Sequence, residues 1–388
     1  MKAVVFLVVV AALFAGYGTA YLASDDVRYL TRAGIEETRI LQARQPITEL
    51  VADPRTDPAL RDALGLVVES RDYAARLGLE AKETYTSYAD VGRDTLLLVL
   101  QAAPRDCICP HTWKYPIVGR IPYKGFFDFD AARREAGRLA ARGYDIYLRP
   151  SSAFSTLGWF NDPLLSTALT GDSVELAATV FHEIAHNTLY VRSATPFNES
   201  YAQFVGYRSA QSFFRDKGDS LLARRAADRW HDEIVLGEFY ADLVGRLQAL
   251  YDTHPDSVAL DRGRAEAGAW ARVQLEGPLR ARLRTFTIGR VPQRPVNNAR
   301  LIGARIYRTR LDLFDRWYEE HGEDVRLSVA ELGKLMKDVP GDSAYARLAA
   351  AVGDSVGAGD SVAAGDSPAV PDSAVARDSA AGTAGEVR

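Results

Sequence analysis

The sequence predicts an α+β fold that is predominantly α-helical, and three observations support this prediction. After Asp172, apolar residues recur at helical spacing almost to Val339. Before Asp172, short segments rich in β-branched and aromatic residues, broken by Pro and Gly, predict a small sheet. Of the 388 residues, 47% are hydrophobic, which suffices for a packed core and excludes a wholly disordered chain.

The N-terminal segment has the pattern of an export signal. Lys2 precedes an apolar run that extends to Ala23. At about 1.5 Å per residue, such a run is just long enough to span a bilayer. Residues 1–24 are therefore predicted to be either a cleaved signal peptide or a hydrophobic membrane helix. The positive charge lies before the run and Asp25 and Asp26 follow it, which places the rest of the chain outside the cytoplasm.

The region after this segment is predicted to form one body over residues 25–345, because no clear linker interrupts it. The first helices are predicted at residues 25–44 and 58–77. The strands are predicted at residues 95–102, 115–123, 146–148 and 152–160. Cys107 and Cys109 are separated by one residue and are expected to make a poor disulfide. Stability is therefore expected to come from the core.

The residues that could bind a metal ion or act in catalysis are concentrated in one predicted helix. Asp172 and Glu175 have the spacing of a capping box at its start. His182 and His186 are four residues apart, so their rings lie on one face and can meet on a single zinc ion. Glu183 lies beside them, where it can hold a water molecule as a general base. The alternative is a surface helix that carries two histidines by chance.

A catalytic zinc site needs a third protein ligand and one open position. Glu199 is predicted as this ligand, because Asn198 can cap a helix that returns the carboxylate towards the histidines. The alternative ligand is Glu238, whose surroundings resemble the carboxylate motif of another group of membrane-linked zinc proteases.

Beyond the motif, the stretch from Trp113 to Gly206 resembles the zinc aminopeptidase family of the Gram-negative cell envelope, which is gluzincin-like. The matching pieces are residues 115–119, 123–127, 143–145, 155–165, 182–186 and 197–202, with weaker matches at 46–47, 296–299 and 307. The resemblance implies a zincin-like metallopeptidase body, one Zn²⁺ ion, a peptide substrate and a place on the periplasmic side of the envelope. Members of that family look like lipoproteins with a Cys after a short signal. Here Tyr17 follows Gly16, so a retained apolar helix is the expected anchor.

The motif and the resemblance together predict a zinc-dependent peptidase with Glu183 as the general base. The word aminopeptidase comes from the resemblance. A tetrahedral oxyanion needs a further donor, and the candidates are Tyr307, Tyr201 and His231.

Two further residues are candidates for substrate binding. If the strand predicted before the zinc helix pairs with substrate backbone, Gly158 allows a close approach and Trp159 lines a side-chain subsite. The alternative is a core strand whose aromatic residues pack against the helix.

The remaining features limit other functions. The formal charge of −4 offers no broad electrostatic footprint for nucleic acid, so no such partner is expected. A non-catalytic envelope protein that uses metal for stability or partner binding is the alternative function, although a structural site has no need of Glu183.

Residues 346–388 are predicted to be a disordered low-complexity tail, in which Asp-Ser recurs every six residues from Asp354. A β-helix repeat and calcium binding are the other interpretations of that period.

Overall fold

The computed structural model describes residues 2–115, 119–151, 163–289, 291 and 295–354. The helices are α1 (Lys2–Ala23), α2 (Asp25–Gln42), α3 (Ile47–Ala52), α4 (Pro58–Arg76), α5 (Phe129–Ala141), α6 (Ser173–Thr188), α7 (Thr195–Asp216), α8 (Ser220–Tyr251), α9 (Ser257–Glu276), α10 (Pro278–Arg282), α11 (Asn298–Ile306), α12 (Leu311–Glu320), α13 (Val325–Leu335) and α14 (Ala344–Ala351). The strands are β1 (Arg44–Pro46), β2 (Ser87–Ala89), β3 (Leu97–Ala103), β4 (Trp113–Tyr115), β5 (Gly119–Ile121), β6 (Lys124–Phe126), β7 (Asp145–Ser151) and β8 (Leu164–Leu165). The prediction of a mainly helical α+β fold is confirmed.

The strands form three small sheets among the described residues. In one, β3 lies between β6 and β7 and is antiparallel to both. In another, β2 pairs with β1 antiparallel and with β8 parallel. The third is a hairpin of β4 and β5, where the sequence predicted one strand over residues 115–123. The predicted segment therefore contains parts of two strands, and residues 116–118 lie outside the described residues. The strand predicted at residues 152–160 lies outside the described residues.

The main hydrophobic core is centred on α6 and α7 and also receives side chains from α4, α12, α13 and α14. Phe181 of α6 lies edge-on to Tyr73 and Phe213, with ring centroids 6.1 Å away in both cases. On the other side of α7, Phe204 stacks on Phe314 with centroids 5.8 Å apart. The helix that carries the His-Glu motif is therefore held within packed aromatic side chains.

The crossing of α6 and α7 depends on Gly206. A Cβ atom at this position would lie 2.8 Å from the carbonyl oxygen of Ala178 and 3.4 Å from the Cβ of His182. A side chain of any size would separate the two helices. The glycine therefore lets α7 approach α6 at the turn that carries His182.

The start of α7 differs from the prediction that Asn198 caps it. The helix begins at Thr195 with Pro196 in its first turn, where a missing backbone N–H costs no intrahelical hydrogen bond. Asn198 lies inside the helix instead. Its Nδ2 donates to the carbonyl oxygen of Val191 (2.8 Å) and its Oδ1 accepts from the Val191 amide (2.9 Å). The side chain thus closes the loop between α6 and α7.

The first helix is exposed and is joined to α2 at Ser24. The Ser24 hydroxyl accepts from the Val27 amide and so caps α2. Arg28 Nη1 donates to the carbonyl oxygens of Tyr21 and Leu22 at 2.8 and 2.9 Å, which satisfies the end of α1. By length and composition, α1 could cross a membrane.

Cys107 and Cys109, which the sequence predicts to be a poor pair, are joined by a disulfide in the structure. Their Cα atoms are 5.2 Å apart, which is within the usual range for disulfides. The loop is also held from outside. Asn298 Nδ2 donates to the carbonyl oxygens of Pro104 (2.9 Å) and Cys107 (3.1 Å). These hydrogen bonds fix the turn that brings the two cysteines together.

The last described helix is part of the core. In α14, Leu348 and Ala349 are buried in the main core cluster, and the predicted body boundary at residue 345 falls inside this helix. The carboxylate of Asp354 pairs with Arg310 and, at 3.0 Å, with Arg316. The chain is therefore attached to the body up to residue 354.

Candidate metal centre

Helix α6 begins at its predicted cap. Asp172 Oδ1 accepts from the amides of Val174 (3.1 Å) and Glu175 (3.4 Å). The Glu175 carboxylate accepts from the Tyr207 hydroxyl at 3.2 Å and pairs with Arg229 at 3.3 Å. Since Tyr207 belongs to α7 and Arg229 to α8, these contacts tie the start of α6 to both neighbouring helices.

Three side chains converge where α6 meets α7, namely His182, His186 and Glu199, which we call the ligand trio. His182 Nε2 lies 3.3 Å from His186 Nε2 and 3.3 Å from Glu199 Oε2. His186 Nε2 lies 3.4 Å from Glu199 Oε1. The exposed fractions of the three side chains are 6%, 12% and 1% in the same order. The structure thus brings together the three residues that the sequence predicted as ligands.

The separations within the ligand trio suit a metal ion. Ligand atoms about 2.0–2.1 Å from a tetrahedral zinc ion lie about 3.3–3.4 Å from one another. The two Nε2 atoms are 3.3 Å apart, and they lie 3.3 and 3.4 Å from different oxygens of the Glu199 carboxylate. A buried carboxylate that faces two imidazole nitrogens favours a cation at their centre. The ligand trio can therefore hold a metal ion.

The protonation state of His186 also suits a ligand. Burial lowers the pKa of this imidazole to about 4, because the surrounding protein cannot solvate the charged form. The ring is therefore neutral at physiological pH. A neutral imidazole is the form that binds metal.

Tyr307 lies beside the ligand trio. Its ring centroid is 6.2 Å from that of His182, and the residue is buried at the C-terminal end of α11. The other two predicted oxyanion donors have different surroundings. Tyr201 is fully buried in the main core, where burial raises the pKa of its hydroxyl. His231 lies on α8 with Nε2 3.2 Å from the carbonyl oxygen of Arg282.

The other predicted site residues have different surroundings. Glu183 follows His182 on α6 and is half-buried. Glu238, the alternative ligand, is outside the ligand trio; its side chain is 50% exposed on α8 and pairs with Arg282. Gly158 and Trp159 lie outside the described residues.

Sequence reasoning missed a second layer of residues around Tyr307. Arg308 and Glu233 form a buried ion pair next to it. The carbonyl oxygen of Thr309 accepts from the Ser200 hydroxyl (2.8 Å) and lies 3.1 Å from the Tyr345 hydroxyl. One signal could have revealed part of this layer. Glu233 lies three residues after the buried Trp230 and so shares its core-facing stripe, where a carboxylate requires a buried partner.

Comparison with known proteins gives one match. A family model with the description "Putative aminopeptidase" matches residues 28–344, which extend from α2 to the start of α14 and include the ligand trio. Neither the comparison with curated proteins nor that with solved structures found a match.

Proposed function

The chain belongs to the family described as "Putative aminopeptidase", and from this membership we propose that it is a zinc-dependent aminopeptidase. One observation carries the proposal. His182, His186 and Glu199 meet with ligand atoms 3.3–3.4 Å apart in a chain of this family. A peptidase that hydrolyses amides at such a centre needs no further cofactor.

Zinc is the ion that the donor set favours. Two imidazole nitrogens and one carboxylate, with a position left for solvent, are typical of catalytic zinc sites. Calcium and magnesium prefer sites built from oxygen ligands alone. When bound, zinc would polarise a carbonyl group and lower the pKa of a water molecule.

Two side chains would carry the proton chemistry. Glu183 lies on the same turn of α6 as His182 and would take a proton from the attacking water. The same carboxyl group would then deliver that proton to the nitrogen of the leaving amine. The Tyr307 hydroxyl would donate a hydrogen bond to the oxyanion that forms on the scissile carbonyl, since its ring is next to His182.

The test of this function uses two glutamates. Zinc-loaded wild-type protein is assayed on peptides with a free N-terminus and on the same peptides with an acetylated N-terminus. We expect hydrolysis of the free peptides, and we expect Glu183→Gln to lower kcat by about 10²–10⁴-fold with zinc still bound. Glu238→Gln is the matched control, because Glu238 is exposed and outside the ligand trio, and should keep both zinc and activity.

Three outcomes would change the proposal. A wild type that cleaves blocked and free peptides equally is an endopeptidase. A wild type that binds zinc but cleaves neither is the non-catalytic envelope protein. Full activity in Glu183→Gln would exclude this residue as the base.

We also propose that α1 remains attached as a membrane anchor and that the body lies on the periplasmic side of the cell envelope. The proposal is supported by the length and apolar composition of α1 and by the positive charge of Lys2 before it. Mass spectrometry of the mature N-terminus and extraction of membranes at high pH test it. A mature chain that begins near Asp25 and is released with soluble proteins would contradict the anchor.

A further inference from the structure

We propose that the buried ion pair between Arg308 and Glu233 is a positioning device that holds the Tyr307 ring against the ligand trio. This inference rests on the proposed function, because it assigns the pair a role through Tyr307. It is carried by four contacts that fix the segment 307–309 from three different helices.

The first contact is the ion pair itself. Arg308 Nε lies 2.6 Å from Glu233 Oε2, and Arg308 Nη2 donates to Glu233 Oε1 at 3.2 Å. The two side chains are only 7% and 3% exposed. Removing such charges from water costs much of what their attraction gains, so a buried pair is a poor source of stability. The Nη2–Oε1 hydrogen bond and the close Nε–Oε2 approach hold the guanidinium against both carboxylate oxygens, which fixes its direction as a hydrophobic pair would not do.

The second contact is between α8 and the backbone of Arg308. A Cβ atom at Gly237 would lie 2.8 Å from the carbonyl oxygen of Arg308. Gly237 is four residues after Glu233, so both face the same segment one turn apart. Helix α8 therefore pairs with the side chain of residue 308 and lies close to its backbone.

The third and fourth contacts fix the next residue. The carbonyl oxygen of Thr309 accepts from the Ser200 hydroxyl (2.8 Å) and lies 3.1 Å from the Tyr345 hydroxyl, whose nearest acceptor is the carbonyl oxygen of Pro196 (2.9 Å). Ser200 directly follows Glu199 on α7, and Tyr345 belongs to α14. The segment with Tyr307 is thus attached to the residue next to a predicted metal ligand.

The position of Tyr307 explains why such attachments are needed. The residue follows the last turn of α11, and helix ends fray unless other groups hold them. A donor that stabilises an oxyanion must stay within about 0.5 Å of its productive position. Arg308 is the next residue along the chain, so its buried ion pair with Glu233 restricts the position of Tyr307 directly.

The kinetic test combines substitutions. We expect Arg308→Lys to lower kcat about 10–100-fold, with KM changed less than about threefold and zinc content unchanged, because lysine loses the two-point pairing. In a Tyr307→Phe background, Arg308→Lys should have no further effect on kcat. Arg208→Lys is the matched control, because Arg208 also pairs with a carboxylate, that of Asp315, and lies away from this segment on α7. It should leave kcat within about twofold of wild type.

A second measurement needs neither zinc nor activity. With 3-fluorotyrosine at position 307, ¹⁹F NMR of the metal-free protein should give one sharp resonance in the wild type. In Arg308→Lys we expect a broadened or split resonance. If Arg308→Lys does not fold, the isosteric Glu233→Gln serves in both experiments, because it keeps the shape of the pair and removes one charge.

Each outcome has a clear consequence. An effect of Arg308→Lys on kcat that adds to that of Tyr307→Phe would overturn the positioning role, and so would an unchanged ¹⁹F spectrum in both variants. An inactive wild type with the expected spectral change would contradict the proposed function and leave the positioning role intact.

Discussion

Two buried polar clusters lie at opposite ends of α11 and differ in what occupies their centre. At the N-terminal end, Arg264 donates to Asp145 (2.7 Å) and to the Tyr251 hydroxyl (3.0 Å). The backbone amide of Asn298 also donates to Asp145 (2.7 Å), and the Tyr251 hydroxyl donates to Oδ1 of Asn298 (2.9 Å). In this Arg264 network, formed by these four residues, a protein cation lies in the middle.

The ligand trio beyond the other end of α11 has the opposite arrangement. Two imidazole nitrogens and a carboxylate face one another there at 3.3–3.4 Å. Burial and polarity alone therefore do not distinguish a cluster that stabilises the fold from one that can hold a metal ion. The chain itself supplies the central cation of the Arg264 network, whereas the ligand trio has the donor atoms to hold a cation from solution.

The largest expected effect comes from removing the carboxylate of the ligand trio. Glu199→Gln should lose zinc and at least about 10³-fold in kcat/KM, because the ion supplies several kcal/mol of transition-state stabilisation. The free energy of unfolding of the metal-free protein should change by less than about 1 kcal/mol, because the amide is isosteric and uncharged. Zinc analysis, peptide hydrolysis and urea denaturation measure the three quantities. Zinc retained at wild-type affinity would remove Glu199 from the set of ligands.

Removal of a charged group from the Arg264 network should instead lower the free energy of unfolding. Arg264→Met leaves the Asp145 carboxylate buried without its charge partner, and we expect the free energy of unfolding to fall by about 3–5 kcal/mol. Zinc content of the folded fraction should not change. The control is Arg133→Met, which breaks an exposed pair with Asp130 and should cost less than about 1 kcal/mol. Equal losses in the two variants would contradict the comparison.

The two clusters should also differ in their response to pH. Because the pKa of His186 is about 4 in the folded protein and its ordinary value is about 6.5, the unfolded state binds more protons between these values. The metal-free protein should therefore lose up to about 3 kcal/mol of stability as the pH falls through this window.

Urea denaturation at a series of pH values measures this loss. His186→Gln should abolish most of the dependence. Arg264→Met should keep it at a lower overall stability, because its network contains no histidine. A pH dependence that is identical in wild type and His186→Gln would show that another group is responsible.

The smallest effect is expected at the helix crossing that carries the ligand trio. Gly206→Ala places a methyl group 2.8 Å from the carbonyl oxygen of Ala178. Moving α7 away should cost about 1–3 kcal/mol of stability and weaken zinc binding, because Glu199 lies on that helix. Gly245→Ala on α8 is the matched control. Its Cβ would meet no atom within 4 Å, so it should raise stability by up to about 1 kcal/mol. Denaturation curves and zinc titration check both variants, and unchanged zinc affinity in Gly206→Ala would separate the crossing from the site.

The part of the site that follows from local spacing could be predicted from the sequence. His182, Glu183 and His186 lie on one helix, so the helical repeat alone places their side chains. Glu199 is predicted on a helix that returns towards α6, although Asn198 does not cap that helix as expected. The loop forces α7 to return along α6, and this return does not depend on where the helix starts.

The other contacts around the site join residues that are far apart in the sequence. The Arg308–Glu233 pair joins residues 75 positions apart, and Tyr345 meets Ser200 across 145 positions. Pairings of this kind leave no periodic pattern in the local sequence, so they could not be predicted from it. The turn that contains Cys107 and Cys109 is another example, because it accepts a hydrogen bond from Asn298, which lies 191 positions beyond Cys107.

The attachment of Asp354 has an evolutionary consequence. Asp354 is also the first aspartate of the six-residue repeat, and its carboxylate pairs with Arg310 and Arg316. Slippage during DNA replication readily adds or deletes copies of such a repeat. Loss of the first copy would remove the Asp354 carboxylate from Arg310 and Arg316, so selection on the fold should retain this copy.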